Sequence, residues 1–259
     1  MKPTAELYNA MQVAYDHFND ELFDGTLPSV LFTNQRQNGV MGYFAPNRWT
    51  STDGQKCHEI AINPLYVGKS SLIELLQTLV HEMAHCWQEC HGKPSNRCYH
   101  NKEWANKMVN IGLMPSSTGR PGGAQTGQHM SDYPQPNGRF IYSCEKLLKS
   151  KSFSWNWIDR FARNSSPTIF LANTENDDSG SSEVIRAISE SVEPQMVEQL
   201  TISMEHLFGM ENLIEQDPES EKKVKSKYTC PKCKINLWGK KNMFVKCGDC
   251  EEKLIESFC

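Results

Sequence analysis

From Ser71 to His91 no proline or glycine interrupts the chain, and Leu72, Leu75, Leu76, Leu79, Val80 and Met83 recur close to the helical repeat. The pattern predicts an amphipathic helix, ended by Gly92 and Pro94. Leu7, Met11, Ala14, Phe18 and Leu22 predict another over residues 4–23. β-favouring runs around 29–33, 40–45 and 58–62, punctuated by Gly39, Pro46-Asn47 and Asp53-Gly54, read as three strands. A further helical pattern opens at His100, where Asn101 is a candidate cap and Trp104, Met108 and Ile111 mark the apolar side.

Beyond that point the periodicity fades. Residues 115–139 are rich in Gly, Pro, Ser and Gln and are read as loop, either plain surface or the border of a cleft, with His129 a surface histidine. Trp155 and Trp157 are expected to pack in the core. Residues 164–182 read as a linker. Val184, Ile185, Ile188, Val192, Met196, Leu200, Ile202 and Leu207 then predict one or two acidic helices broken by Pro194. They are read as a solvated spacer, with a tether or partner-docking element as the alternative. The boundaries expected are a first domain over 1–163, an acidic linker with helices over 164–227 and a small domain over 228–259.

The Ser71–His91 helix contains His81-Glu82-Met83-Ala84-His85. Its two histidines stand one turn apart and project from one side. Imidazoles so placed can bind one Zn²⁺, with Glu82 as general base beside a water whose pKa the metal lowers to about 7. A catalytic zinc also needs a third protein ligand and an open position. His91 and His100 are the candidates. If the helix continues through Trp87-Gln88-Glu89-Cys90, His91 lies well round from the ligand face and reads as a helix-terminal histidine favoured by the macrodipole. His100, opening the next helix, can be swung beneath the first.

Cys230-x-x-Cys233 and Cys247-x-x-Cys250 form a second set, with the spacing of a Cys₄ structural zinc site whose knuckles flank a hairpin. The rival, a thioredoxin-like redox pair, would need a βαβ setting that the sequence does not offer. So small a module folds on its metal. The complement predicted is therefore two Zn²⁺, one catalytic and one structural. Cys57, Cys86, Cys90, Cys98, Cys144 and Cys259 read as free thiols, with Cys86 and Cys90, one turn apart, as packing residues.

Charge changes the picture of the ends. Residues 1–164 carry net +2, residues 165–220 net −11 and residues 221–259 net +5, which together give the formal −4. Lys222, Lys223, Lys225 and Lys227 lead into Lys232, Lys234, Lys240, Lys241 and Lys246, interleaved with Trp238 and Phe244. That footprint suits nucleic-acid backbone with base stacking, although a plain solvated lysine surface has the same pattern. No apolar run approaches the ~18 residues of a membrane span. MKPTAELYNAM lacks a signal-peptide core, and ten cysteines without a disulfide framework fit the cytoplasm.

HEMAH, followed by the group His100-x-x-Glu103-Trp104, resembles the SprT-like zinc metallopeptidases, which include the Spartan-type proteases that degrade proteins crosslinked to DNA. The resemblance begins at LYNAMQVAYDHFNDELFDGTLPSVLFT, passes through GYFAP and HEIAINP and reaches NIGLMPSSTG. It implies an α+β, zincin-like domain with helices packed on a small three-stranded sheet, followed by the zinc ribbon. It also implies His81, His85 and His100 as ligands of catalytic zinc and Glu82 as the base. The substrate implied is protein held on DNA; the basic ribbon with Trp238 and Phe244 favours single-stranded DNA, and the expected setting is the cytoplasm, with association with the nucleoid as an option. The family has Gly-Pro after its third histidine, where this chain has Asn101-Lys102. The rival class is a non-enzymatic nucleic-acid-binding or regulatory protein with a structural zinc at the motif. Glu82, which a structural site does not need, favours chemistry.

Overall fold

The computed structural model describes residues 2–96, 99–163, 180–210, 212–215 and 226–257. It divides into two compact units, residues 1–215 and 216–259. In the first, helix α1 (Pro3–Phe23) starts on a proline, tolerated where the backbone N–H has no helical partner, and ends at Asp24 in the left-handed conformation. Met11, Ala14, Tyr15, Phe18 and Leu22 all face inward, as their spacing requires.

Three strands follow, β1 (Val30–Asn34), β2 (Gly42–Thr50) and β3 (Lys56–Ile62), in the order β1-β3-β2. The central β3 pairs parallel to β1 and antiparallel to β2, which leaves β2 at an edge. β2 runs through Pro46-Asn47 instead of turning there. The register slips between Ala45 and Trp49, and Asn47 takes φ 49°. A proline is tolerated because an edge strand need not donate on both sides, and the bulge absorbs the misfit. The turn falls at Asp53-Gly54 instead.

After the short α2 (Pro64–Val67) comes α3 (Leu72–His91), the helix carrying the histidine pair. Ser71 and Glu74 close a capping box at its start, with Ser71 N–H donating to Glu74 Oε2 at 2.7 Å. α4 (Lys102–Ile111) begins on Asn101, whose Oδ1 accepts from Trp104 N–H. It ends at Gly112, φ 94°, where an added Cβ would lie 2.7 Å from the backbone nitrogen of Arg139. That close approach seats α5 (Arg139–Lys149) against α4, with Phe140, Ile141, Cys144 and Leu147 buried. Between them β4 (Leu113–Ser116) and β5 (Ser131–Pro134) pair antiparallel. The loop reading of 115–139 misses this hairpin because each strand spans only four residues amid Gly, Pro and Ser. Trp155 is buried as expected. Trp157 is not, and its indole N–H donates to Glu6 instead.

The acidic segment departs further from expectation. The linker residues 164–179 lie outside the described residues, but α6 (Gly180–Ser189), α7 (Pro194–Thr201) and α8 (Met204–Leu207) are part of the first unit. Ile188, Leu200 and Met204 are fully buried in its core. Met204 N–H donates to Ser70 O at 2.8 Å, Glu205 N–H donates to Gly68 O at 2.9 Å, and Lys69 pairs with Glu205. The segment is thus a brace rather than a free spacer. Glu190, Glu193 and Glu198 face solvent, while Glu205 is buried against Lys69, and the apolar residues supply a surface that a spacer could not leave in water. Leu200→Ala is accordingly expected to cost about 2–5 kcal/mol, as for a buried core leucine. Urea denaturation of the full chain checks this, and a cost near zero would return the segment to the spacer reading.

The second unit is small. β6 (Ser226–Thr229) lies between β7 (Asn236–Gly239) and β8 (Ile255–Ser257), antiparallel to both. Its buried apolar side chains are few, with Tyr228 and Leu254 packing beside Cys230 and Cys247. Among the described residues no helix is long and apolar enough to cross a membrane.

Candidate metal centres

α3 presents His81 and His85 one turn apart, and His100, the residue before the cap of α4, bridges to Gly127 and meets them. One ring nitrogen from each lies within 4.8 Å of the others. His85 Nε2 and His100 Nε2 face each other at 3.1 Å, and the three ring centroids are 4.7–5.4 Å apart. Converging imidazole nitrogens are the donor set that zinc takes, and they leave room for a fourth position.

Electrostatics follow from burial. The His85 ring is held well below the usual histidine value by burial and by its histidine neighbours, and His100 is pushed down to about 4 by burial and His81. Both therefore stay neutral at neutral pH, the form a metal requires. Burial would lower His81 too, but the Asp132 carboxylate beside it outweighs this and raises it. Burial pushes Glu82 up to about 7, against a lowering contribution from His81 and the Phe44 backbone N–H.

The chain turns back toward α3 through a network around Gln88. Its side-chain amide donates to Asn101 Oδ1 at 2.7 Å and to Glu103 Oε2 at 2.8 Å, and Glu103 also accepts from Lys93 N–H. Gly92 leaves space for that carboxylate, which a Cβ there would meet. His91 is directed elsewhere, its Nε2 lying 3.2 Å from Thr26 O. In the second unit the four cysteines gather, with all four sulfurs within 4.8 Å and Cys233 Sγ 3.6 Å from Cys247 Sγ. The backbone amides of Cys233 and Lys232 hold the Cys230 thiol below its usual value, favouring the thiolate that a metal needs.

Residues 11–122 match the SprT-like family. An uncharacterized protein in the mucB 3' region of Salmonella typhimurium is 41% identical over 51 residues, covering 20% of this chain and 69% of that protein. The chain belongs to the SprT-like family. No solved structure gives a significant match. The family suggests a metallopeptidase-type function, and the histidine and cysteine groups are compatible with zinc.

Four features of this SprT-like site go beyond the roles read from the sequence pattern. Asp132 on β5 lies 2.7 Å from His81 Nδ1, with its side chain 4% exposed. A carboxylate there fixes the tautomer that leaves Nε2 free toward the other imidazoles. The segment before it is pinned too, because His100 and Gly127 exchange backbone hydrogen bonds and Gly127 O lies 3.1 Å from His100 Nδ1. Trp104, read from the sequence as an apolar-face residue and as part of the family's His-x-x-Glu-aromatic group, packs against all three imidazoles at 4.4–5.4 Å between centroids. His129, read as a surface residue, is exposed but lines the rim of an open cleft of about 780 Å³ over the site.

The placement of the two later histidines gives a direct expectation. A zinc held by the three imidazoles should be lost in His100→Ala and kept in His91→Ala. Zinc analysis of the two purified variants checks this. Loss from the His91 variant alone would assign the third ligand to the helix terminus.

Proposed function

We propose that the chain is a zinc-dependent, zincin-like endopeptidase acting on proteins held on DNA. The reading rests on three convergent imidazoles at the floor of an open cleft, with a buried carboxylate beside them. His81, His85 and His100 would hold the zinc, and Cys230, Cys233, Cys247 and Cys250 a second, structural one. Zinc at the imidazoles would supply Lewis acidity, polarising the scissile carbonyl and making water a better nucleophile. Glu82 takes the proton from that water. Burial raises the pKa of this carboxyl and makes it a better proton acceptor, and the same group can return the proton to the leaving amine. A cation beside Glu82 would draw its pKa down, so that the metal-loaded form holds the base ready. Gly42 and Phe44 of the edge strand β2 border the cleft, and an edge strand is where an extended peptide can add.

What supports the DNA part is the small unit. Trp238 and Phe244 are 58% and 70% exposed, beside the lysines of the tail; Lys222, Lys223 and Lys225 lie outside the described residues. Stacking of unpaired bases on such rings contributes about 1–3 kcal/mol per base, and phosphate contacts add a salt-dependent share. Deleting residues 221–259 should therefore weaken binding to labelled single-stranded DNA while sparing cleavage of an unstructured peptide. Fluorescence anisotropy at several salt concentrations measures it, and equal affinity of both chains would shift the small unit toward protein contact. The substrate reading is tested by incubating the protein with a DNA-binding protein, with and without single-stranded DNA. Fragments that appear faster with DNA are expected, and their absence in both arms would remove this substrate class.

A further inference from the structure

A third group of ligating side chains stands outside both centres. Cys86 and Cys90 lie one turn apart on α3, and His58 reaches them from β3; Cys86 Sγ, Cys90 Sγ and one ring nitrogen of His58 all lie within 4.8 Å of one another. Cys90 Sγ is 3.7 Å from His58 Nε2. The imidazole is packed beside Phe44, at 5.4 Å between ring centroids. Cys86 is buried and Cys90 exposed, so the cluster has an inner seat and an opening to solvent.

A disulfide does not fit. Residues at i and i+4 of a helix hold their Cβ atoms about 5–6 Å apart, whereas a disulfide needs about 3.5–4.5 Å. A bridging ion fits that wider span. The two sulfurs are soft donors of the kind that selects Cu⁺, and an imidazole nitrogen, which also suits copper, completes a set of low number.

We propose that Cys86, Cys90 and His58 form a binding site for a thiophilic d¹⁰ cation of the Cu⁺ class, through both sulfurs and His58 Nε2. On binding, each thiol releases one proton to solvent, and no electron is transferred. The imidazole must also shift its proton. Asn47 N–H now donates to His58 Nδ1 at 2.9 Å, which places the proton of the neutral ring on Nε2, toward Cys90. Ligation through Nε2 moves that proton to Nδ1, and the Asn47 amide turns to water. Asn47 is exposed in the β2 bulge, where that hydrogen bond is readily exchanged for one to solvent. The site does not depend on peptidase activity.

Anaerobic titration of the zinc-loaded full chain with Cu⁺, against the chromophoric chelator bicinchoninate, tests the proposal while released zinc is followed with an indicator. The native chain should take up one equivalent of Cu⁺ that Cys90→Ala does not, with no zinc released and with near-ultraviolet thiolate-to-copper absorption. Cys90 is exposed, so that variant leaves the core intact; Cys86→Ser, checked for folding by circular dichroism, should lose the same equivalent. Equal uptake by the native chain and Cys90→Ala overturns the proposal. So does uptake matched by zinc release, which would place the copper in the Cys₄ group.

Discussion

Glu82→Gln is expected to slow peptide hydrolysis by about 10²–10⁴-fold, the range for loss of a general base, while the chain keeps its full zinc content. The separation of the two effects comes from geometry. Glu82 adjoins the imidazoles but contributes no atom to the cluster of convergent nitrogens. Gln keeps the size of the side chain and can still face the Phe44 backbone, but it cannot accept a proton from water. Because Glu82 is buried, exchanging it for a neutral amide also removes a buried carboxylate, so folding should not suffer. Steady-state hydrolysis of an unstructured peptide, paired with elemental analysis, measures both quantities. A variant cutting at near native rate would mean that another group serves as base.

The second large effect concerns the small unit. Its core is Tyr228 and Leu254 packed around Cys230 and Cys247, far too little apolar surface to hold three short strands alone. Zinc in modules of this size contributes about 10–16 kcal/mol of apparent binding energy at pH 7, and that energy is folding energy. A strong chelator, or Cys230→Ser with Cys247→Ser, should therefore unfold residues 226–257 while the first unit stays folded on its own large core. Limited proteolysis with mass spectrometry distinguishes the two units. Persistent protection of residues 226–257 without metal would show that packing, not zinc, holds them.

Long periodic elements were legible in the sequence because one physical rule decides them. The face of α3 that buries Leu72, Leu76, Val80 and Met83 also fixes where His81 and His85 point, and the spacing of the four cysteines dictates that their sulfurs meet. Features set by long-range contact were not legible. The parallel pairing of β1 with β3 depends on which strand the core accepts between two others, which no local pattern carries. Asp132 stands in a stretch of turn-forming residues and gains its role only by lying against His81, 51 residues earlier in the chain. The acidic helices show a third case. Their apolar positions were visible, but net charge argued for a solvated spacer, and the burial of Ile188, Leu200 and Met204 is decided by the groove they fill.

The central claim, that His81, His85, His100 and Glu82 form a zinc peptidase centre, is tested most directly by reconstitution. The metal-free chain is titrated with zinc while cleavage of a fluorogenic peptide and bound metal are followed together, with Glu82→Gln and His100→Ala in parallel. The account predicts that cleavage appears as the first unit's site fills, that Glu82→Gln fills without cleaving, and that His100→Ala does neither at that site. Cleavage that persists in chelator, or a fully zinc-loaded native chain that cuts no peptide with or without single-stranded DNA, would contradict it.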